Sequence, residues 1–473
     1  MTILLEHGYL VTVDGARRVI PDGWLLVDGE RIAGIGSHGS DPLPEADERI
    51  DLKGKLMMPG LVNGHNHHWA SLFKNTGEGM LLEEWRDRIP RVLTPVVTAE
   101  DRRIAAYLGA IEQLRTGTTT SLNHLTNIND DETMAATIEP VLEVGIRQLV
   151  AKELRDTPVP AFSEDYPARP HLRDRRDELA YAEQLVDRWD GAGGLVHMGL
   201  AMETGASWML QNSTSNELIL EGVELAQRRG LKISNHCSAG TPWLSIKEFE
   251  EKTGGGDVDY LVRLGAMVDN WILVHALHLH DREIDAVAAA GAGIITNPVS
   301  NAYSCDGIAP LRQMFAAGVT VGLGTDGAYV NCSPDMVQQM KFAVLIQNVT
   351  HYDPNLMTAE RAIEMATIGS ATALGLADQI GSLEVGKRAD IAIFDLHKAH
   401  TVVVNRPVAS LVFSANGTDV DTVLVNGRIL VRGGELVEFE REHEVLSEAT
   451  ARATAALERA GLSERVFQHW RHH

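Results

Sequence analysis

Eight short apolar runs recur between about Leu61 and Ala377, and each closes on polar residues: "LVNGHNH", "GTTTSLNHL", "IRQLVAKE", "GLVHMGLAME", "LKISNHC", "WILVHAL", "AGIITNPVS" and "VTVGLGTDG". Helix-length amphipathic segments such as "AEDRRIAAYLGAIEQLRTG" and "NELILEGVELAQRRG" separate them. A strand followed by a helix, repeated eight times, is the pattern of a closed α/β (β/α)8 barrel of TIM type, in which polar residues after the strands share one mouth. The first 55 or so residues and the stretch containing "ADIAIFDL" and "DTVLVNGRILVRGGELV" have a different texture, short β-like runs broken by Gly and Asp turns. The spacing predicts a small β-sandwich layer built from both chain ends, over 1–57 plus 385–440. It leaves the barrel over 58–384 and a C-terminal helical tail over 441–473.

The residues at the strand ends suggest what the mouth does. In "VNGHNHHW" His65 and His67 stand two apart, so in extended backbone both side chains leave one face and converge on one point. His236 closes the fifth run, His275 the sixth and Asp326 the eighth. A closed parallel barrel brings these ends together, giving a site of imidazoles and a carboxylate with one position open for water. Such a donor set suits zinc first, with iron(II) and cobalt as further fits.

Several classes are disfavoured. A net charge of −23, from 65 acidic and 42 basic residues, repels nucleic acid and anionic membrane surfaces and leaves a small molecule as the expected partner. The cysteines Cys237, Cys305 and Cys332 are scattered and odd in number, so no disulfide framework is implied. The N-terminus lacks a basic and then apolar leader, and no apolar run reaches the ~18 residues that span a bilayer. A cytoplasmic, homo-oligomeric enzyme is expected.

The motifs "PGLVNGHNH", "LVHAL", "GTDGAYVN" and "IGSLEVGKRADIAIFDL" resemble the amidohydrolase superfamily, in its triazine hydrolase and aminohydrolase branch, over nearly the whole chain. The resemblance implies one divalent metal per chain on His65, His67, His236 and Asp326, with His275 beside the bound water or substrate. It implies that a metal-bound hydroxide attacks, with Asp326 as base and His275 polarising the electrophile. Lys152, on the third run, is a weaker alternative as a carboxylated ligand bridging two metals. His68 and Trp69 are expected at the pocket entrance, and His278 and His280 in solvent.

One departure stands out. The branch carries a glutamate three residues after the fifth-strand histidine, where this chain has Ala239. Attack on an aromatic C=N carbon needs the ring nitrogen protonated, so the missing acid favours an amide, urea or thiocarbamate substrate of the phenylurea-herbicide kind. Deamination or dechlorination of a triazine, pterin or purine-like ring is the alternative, with a relocated acid. Candidate donors are Glu153, Glu203, His124 and Cys237. Trp85, with Leu81 and Leu82, is expected to wall the substrate, together with Asn301 in "NPVSNAY" and Tyr329 after the metal aspartate.

Overall fold

The computed structural model describes residues 1–157, 172–204 and 214–462. Its centre is an eight-stranded parallel sheet of β6 (Leu61–Asn66), β7 (Thr118–His124), β8 (Arg147–Glu153), β9 (Val196–Ala201), β10 (Ile233–Cys237), β11 (Trp271–His275), β12 (Gly293–Thr296) and β13 (Thr320–Leu323). The strands neighbour each other in sequence order, as successive right-handed β-helix-β units require. Nearly every residue in them is buried, which is why they read as apolar runs rather than as alternating strands.

The ring is drawn together at the mouth. The amides of Thr325 and Asp326, just past β13, both donate to the His65 carbonyl of β6, at 3.0 and 2.9 Å. Asn63 supports the same seam, its amide donating to Thr325 Oγ1 at 2.8 Å. Glycine is required here: a Cβ on Gly324 would stand 2.5 Å from Asn297 Oδ1 and 2.8 Å from the His65 nitrogen.

Both chain ends build the second layer. Here β1 (Thr2–Val11), β2 (Val19–Asp28), β3 (Arg31–Ser37), β4 (Glu48–Asp51) and β5 (Lys55–Pro59) join β14 (Ile391–Asp395), β15 (Val420–Val425), β16 (Arg428–Arg432) and β17 (Glu435–Leu436) in one nine-stranded mixed sheet. β5 pairs antiparallel with β14, and its chain runs on within two residues into β6, so the layer is tied to the first barrel strand. A separate apolar core of Leu5, Leu10, Leu25, Met57, Ile391 and Ile393 fills it.

A buried ion pair fastens the layer to the base of the barrel. The Arg147 guanidinium at the start of β8 donates from Nε and Nη2 to the two oxygens of Asp390, at 3.1 and 3.2 Å, and from Nη1 to the Gly194 carbonyl at 3.1 Å. Both side chains are almost fully buried. Removing one partner strands a charge out of water, so Asp390→Ala is expected to cost about 3–5 kcal/mol in denaturant unfolding. An Asp390→Ala protein as stable as the parent would show that the pair contributes nothing.

The helix Glu442–Arg459 lies along the barrel helix Ala99–Leu114, burying Val445, Ala449 and Ala456 and pairing Arg459 with Asp101 and Arg115 with Glu442. The tail sequence "HWRHH" lies outside the described residues. Among the described residues no helix is long and apolar enough to cross a membrane.

Candidate active site

Five imidazoles and two carboxylates meet at the C-terminal mouth of the barrel. His65 lies in β6 and His67 just after it, His124 ends β7, His236 lies in β10, His275 ends β11, Asp326 follows β13 and Glu203 follows β9. Donor atoms of His65, His67 and Asp326 fall within 4.8 Å of one another, as do those of His65, His236 and His275.

Hydrogen bonds behind the rings decide which nitrogens face inward. His67 Nδ1 donates to the His124 carbonyl at 2.8 Å, and His236 Nδ1 donates to Glu203 Oε1 at 2.7 Å. A nitrogen that donates to such an acceptor carries the proton, so the neutral ring presents its Nε2 lone pair. The Nε2 atoms of His67 and His236 lie 3.2 Å apart. Two lone pairs at that distance repel unless a proton or a metal ion lies between them.

The remaining geometry agrees. His65 Nε2 and His67 Nε2 each lie 3.5 Å from Asp326 Oδ1. A tetrahedral ion with bonds of about 2.0–2.2 Å sets its donors roughly 3.3–3.6 Å apart. His65 is wholly buried and, among the described residues, has no hydrogen bond at either ring nitrogen, which is costly unless a ligand satisfies it. The side chains of His65, His67, His236 and Asp326 fit one divalent ion.

Electrostatics set the rings apart. Burial pushes His67 down to about 3, and it lowers His65 and His275 as well, so these rings are neutral at physiological pH, whereas at His236 the Glu203 carboxylate outweighs burial and raises the imidazole. Burial alone would raise Asp326, but His65, His275 and His67 around it outweigh that and hold the carboxyl well below its ordinary range. Glu203 is likewise opposed by burial, yet His236 and His124 keep it below the usual carboxylate range.

Other residues hold these side chains in place. Asp326 Oδ2 accepts from Ser300 Oγ at 2.6 Å, and Oδ1 accepts from the Gly327 amide at 2.7 Å. Asn301, expected to contact substrate, instead engages His275 Nδ1 through Oδ1 at 2.8 Å and so leaves His275 Nε2 as the inward acceptor. Asn297 Nδ2 is also near that nitrogen, at 3.2 Å. His124 Nδ1 pairs with Ser234 Oγ at 3.0 Å, and its Nε2 lies 3.0 Å from Glu203 Oε1. Glu203 Oε2 is buried and has no partner among the described residues.

The proposed donors separate clearly. Cys237 is fully buried and burial pushes its thiol well up, which leaves it inert. Glu153 accepts from the Asn127 amide at 2.9 Å and braces the loop after β7. Lys152 bonds Glu178 of the helix Arg175–Trp189 at 2.6 Å rather than the centre, so it does not bridge metals. Of these candidates, Glu203 combines contact with the metal-facing imidazoles and an unpaired oxygen.

Tyr329 and Trp85 are buried, with ring centroids 4.6 Å apart, and Tyr329 lies near-parallel to His67 at 6.3 Å. With Trp69, 5.6 Å from Tyr329, they form one aromatic cluster beside His67. Glu83, beside Trp85, ties this cluster to the loop after β10 by accepting from the Thr241 amide and hydroxyl and from Ser245. His68 departs from its expected place at the entrance. It turns into the core against Gln113 at 2.7 Å and Gln148 at 3.3 Å. His278 is not solvated either, since its Nε2 reaches the carbonyls of Asp306 and Gly240 at 2.7 and 3.0 Å.

Sequence reasoning missed Ser300, Asn297 and Ser234, though "NPVSNAY" contains the first two. It placed Glu203 at a neighbouring strand end without choosing it over Glu153, His124 and Cys237. The parallel register pairs Ile233 with Leu200 and Ser234 with Ala201, and carrying that register forward sets Glu203 opposite His236.

Comparison with known proteins identifies the family. The chain is 31% identical over 97% of its length to the whole of a 5-methylthioadenosine/S-adenosylhomocysteine deaminase from Desulforudis audaxviator (strain MP104C). It is 30% identical to a 5'-deoxyadenosine deaminase from Methanopyrus kandleri, over 95% of this chain and 98% of that one. Among solved structures, an adenosine deaminase from Xanthomonas campestris with bound zinc superposes with a TM-score of 0.86 at 24% identity, covering 96% of this chain and 98% of that one. A mutant of atrazine chlorohydrolase TrzN from Arthrobacter aurescens TC1, complexed with zinc and atraton, gives 0.84 at 25% identity, covering 95% of this chain and all of that one. The amidohydrolase family profile matches residues 56–430, from β5 through the whole barrel into the terminal strands, and the chain belongs to that family of hydrolases.

Proposed function

We propose that this chain is a mononuclear, zinc-type aminohydrolase that removes an exocyclic amino group from a purine-like ring. Glu203 is the observation that carries the reading. The chemical argument against ring deamination is the missing acid at position 239, and Glu203 supplies a carboxylate at the same centre from the neighbouring strand. The relatives that match over almost the full chain are deaminases of adenine nucleosides and their thioether derivatives, which supports the same choice. The amide, urea and thiocarbamate reading drew on Ala239 and on the apolar wall, and none of these relatives supports it.

His65, His67, His236 and Asp326 would hold the ion, which would lower the pKa of a bound water to about 7. Asp326, its carboxylate fixed by Ser300 and the Gly327 amide, is the base placed to take one proton from the attacking water and return it to the departing amino group. Glu203, ionised at rest, is placed to take the water's other proton at Oε2 and pass it to the ring nitrogen next to the carbon under attack. His275, kept in one tautomer by Asn301, accepts at Nε2 and orients the attacking water. The amino group gains the second proton and leaves as ammonia, and the ring keeps the water oxygen. Tyr329 and Trp85 provide an aromatic wall for a flat heterocycle.

The test is a turnover screen of the zinc-loaded protein against adenosine, 5'-deoxyadenosine, 5'-methylthioadenosine, S-adenosylhomocysteine, an aminotriazine, a phenylurea and a thiocarbamate. Ammonia release with conversion of an adenine ring to the 6-oxo ring is expected. Cleavage of the urea or thiocarbamate without attack on any ring amine would overturn the reading and restore the amide-type alternative.

A further inference from the structure

A second group of metal-ligating side chains lies on the β-layer, outside the barrel centre. One donor atom from each of Glu6, His7 and His38 lies within 4.8 Å of the others. The two imidazole rings stack at 3.9 Å between centroids, tilted by only 19°. His38 Nε2 is buried and makes no hydrogen bond among the described residues, lying 3.5 Å from Glu6 Oε2. Asp22, 3.2 Å from His7 Nδ1, adds a second carboxylate.

The backbone gathers these residues from three strands. β1 and β2 slip register between Leu5 and Gly8, so one extra residue bulges out of β1 and re-aims Glu6 and His7. His7 takes φ +62°, a left-handed conformation that a non-glycine residue keeps where surroundings impose it. The His38 amide donates to the Asp22 carbonyl at 2.8 Å, which brings the end of β3 beside the bulge. Among the described residues the guanidinium or ammonium group paired with this cluster is that of Arg49, 3.8 Å from Glu6 Oε1. Two carboxylates against one guanidinium leave the cluster net negative when the imidazoles are neutral.

We propose that Glu6, His7 and His38, with Asp22 beside them, bind a divalent transition metal of the zinc, nickel or copper class. Two imidazoles and a carboxylate are the donors these ions select over calcium or magnesium. The ion clamps the β1 bulge to the ends of β2 and β3, and acts on stability rather than on turnover. At about a hundredfold excess of zinc over its dissociation constant, the melting temperature rises by roughly 2–3 °C.

The experiment is equilibrium dialysis of the zinc-loaded holoenzyme against zinc chloride, with bound metal counted by elemental analysis and activity followed in parallel. The parent is expected to hold two equivalents per chain. His38→Ala and the His7→Ala/His38→Ala double variant are expected to hold one, with unchanged turnover and no zinc-dependent rise in melting temperature. A His65→Ala/His67→Ala variant is expected to keep the β-layer equivalent while losing activity, which separates this site from the barrel centre. The chain also carries His469, His472 and His473 at its end. A second equivalent that survives in the His7→Ala/His38→Ala variant belongs elsewhere and overturns the proposal, as does a parent that never exceeds one equivalent.

Discussion

Glu203→Gln is expected to lower kcat by roughly 10²–10⁴-fold while leaving one equivalent of metal bound. The amide oxygen of the introduced glutamine still accepts from His236 Nδ1, so the ligand keeps its tautomer and its direction. What the change removes is a group that takes up and returns a proton at Oε2, a carboxylate oxygen at the centre without a partner among the described residues. A merely positioning role makes a different signature, because loss of support behind a ligand typically costs 10–100-fold in metal affinity or activity. Metal content and kcat must therefore be measured on the same preparation. A variant that loses metal and recovers full kcat when zinc is added back would remove Glu203 from the proton path.

Asp326→Asn is expected to have the larger effect, roughly 10³–10⁴-fold or more in kcat, because it removes a charged ligand and the base together. The protein should nevertheless fold. Asp326 occupies φ +63°, a conformation in which asparagine is tolerated as well as aspartate. The side-chain carbonyl of the introduced asparagine also keeps an acceptor for the Gly327 amide. Parent-like circular dichroism together with weakened zinc binding and lost turnover is the expected result. Near-parental turnover in a zinc-saturated Asp326→Asn protein would sink both assignments at once.

The barrel was legible because its strands are buried on both faces: a residue pattern that is apolar until the last positions leaves little choice of element, and the eight runs match β6 to β13 one for one. The candidate site residues stand out for the same reason, since His65, His236 and His275 interrupt otherwise apolar runs. What escaped is of another kind. Ser300 and Asn297 are small polar residues common in any loop, and only distance separates a residue that steers Asp326 or His275 from one that faces water. The sequence offers Glu153, Glu203, His124 and Cys237 at neighbouring strand ends as replacements for the acid missing at Ala239, and only the sheet register chooses among them, setting Glu203 on the strand beside His236.

The two amides that meet on the His65 carbonyl bear on how the chain reaches this state. Asn63 and Thr325, which reinforce the seam, are 262 positions apart, so the contact that draws the ring together is among the least local in the barrel. Such contacts form late, after the intervening loop entropy has been overcome by shorter-range pairing. His65 belongs to the first strand and Asp326 follows the last, and neither can meet the other in a partly wound ring. A nascent chain that has emerged only as far as β12 carries His65, His67 and His236 but not Asp326. The proposed centre is therefore complete only when the ring is, and an ion bound there would hold the last strand in place.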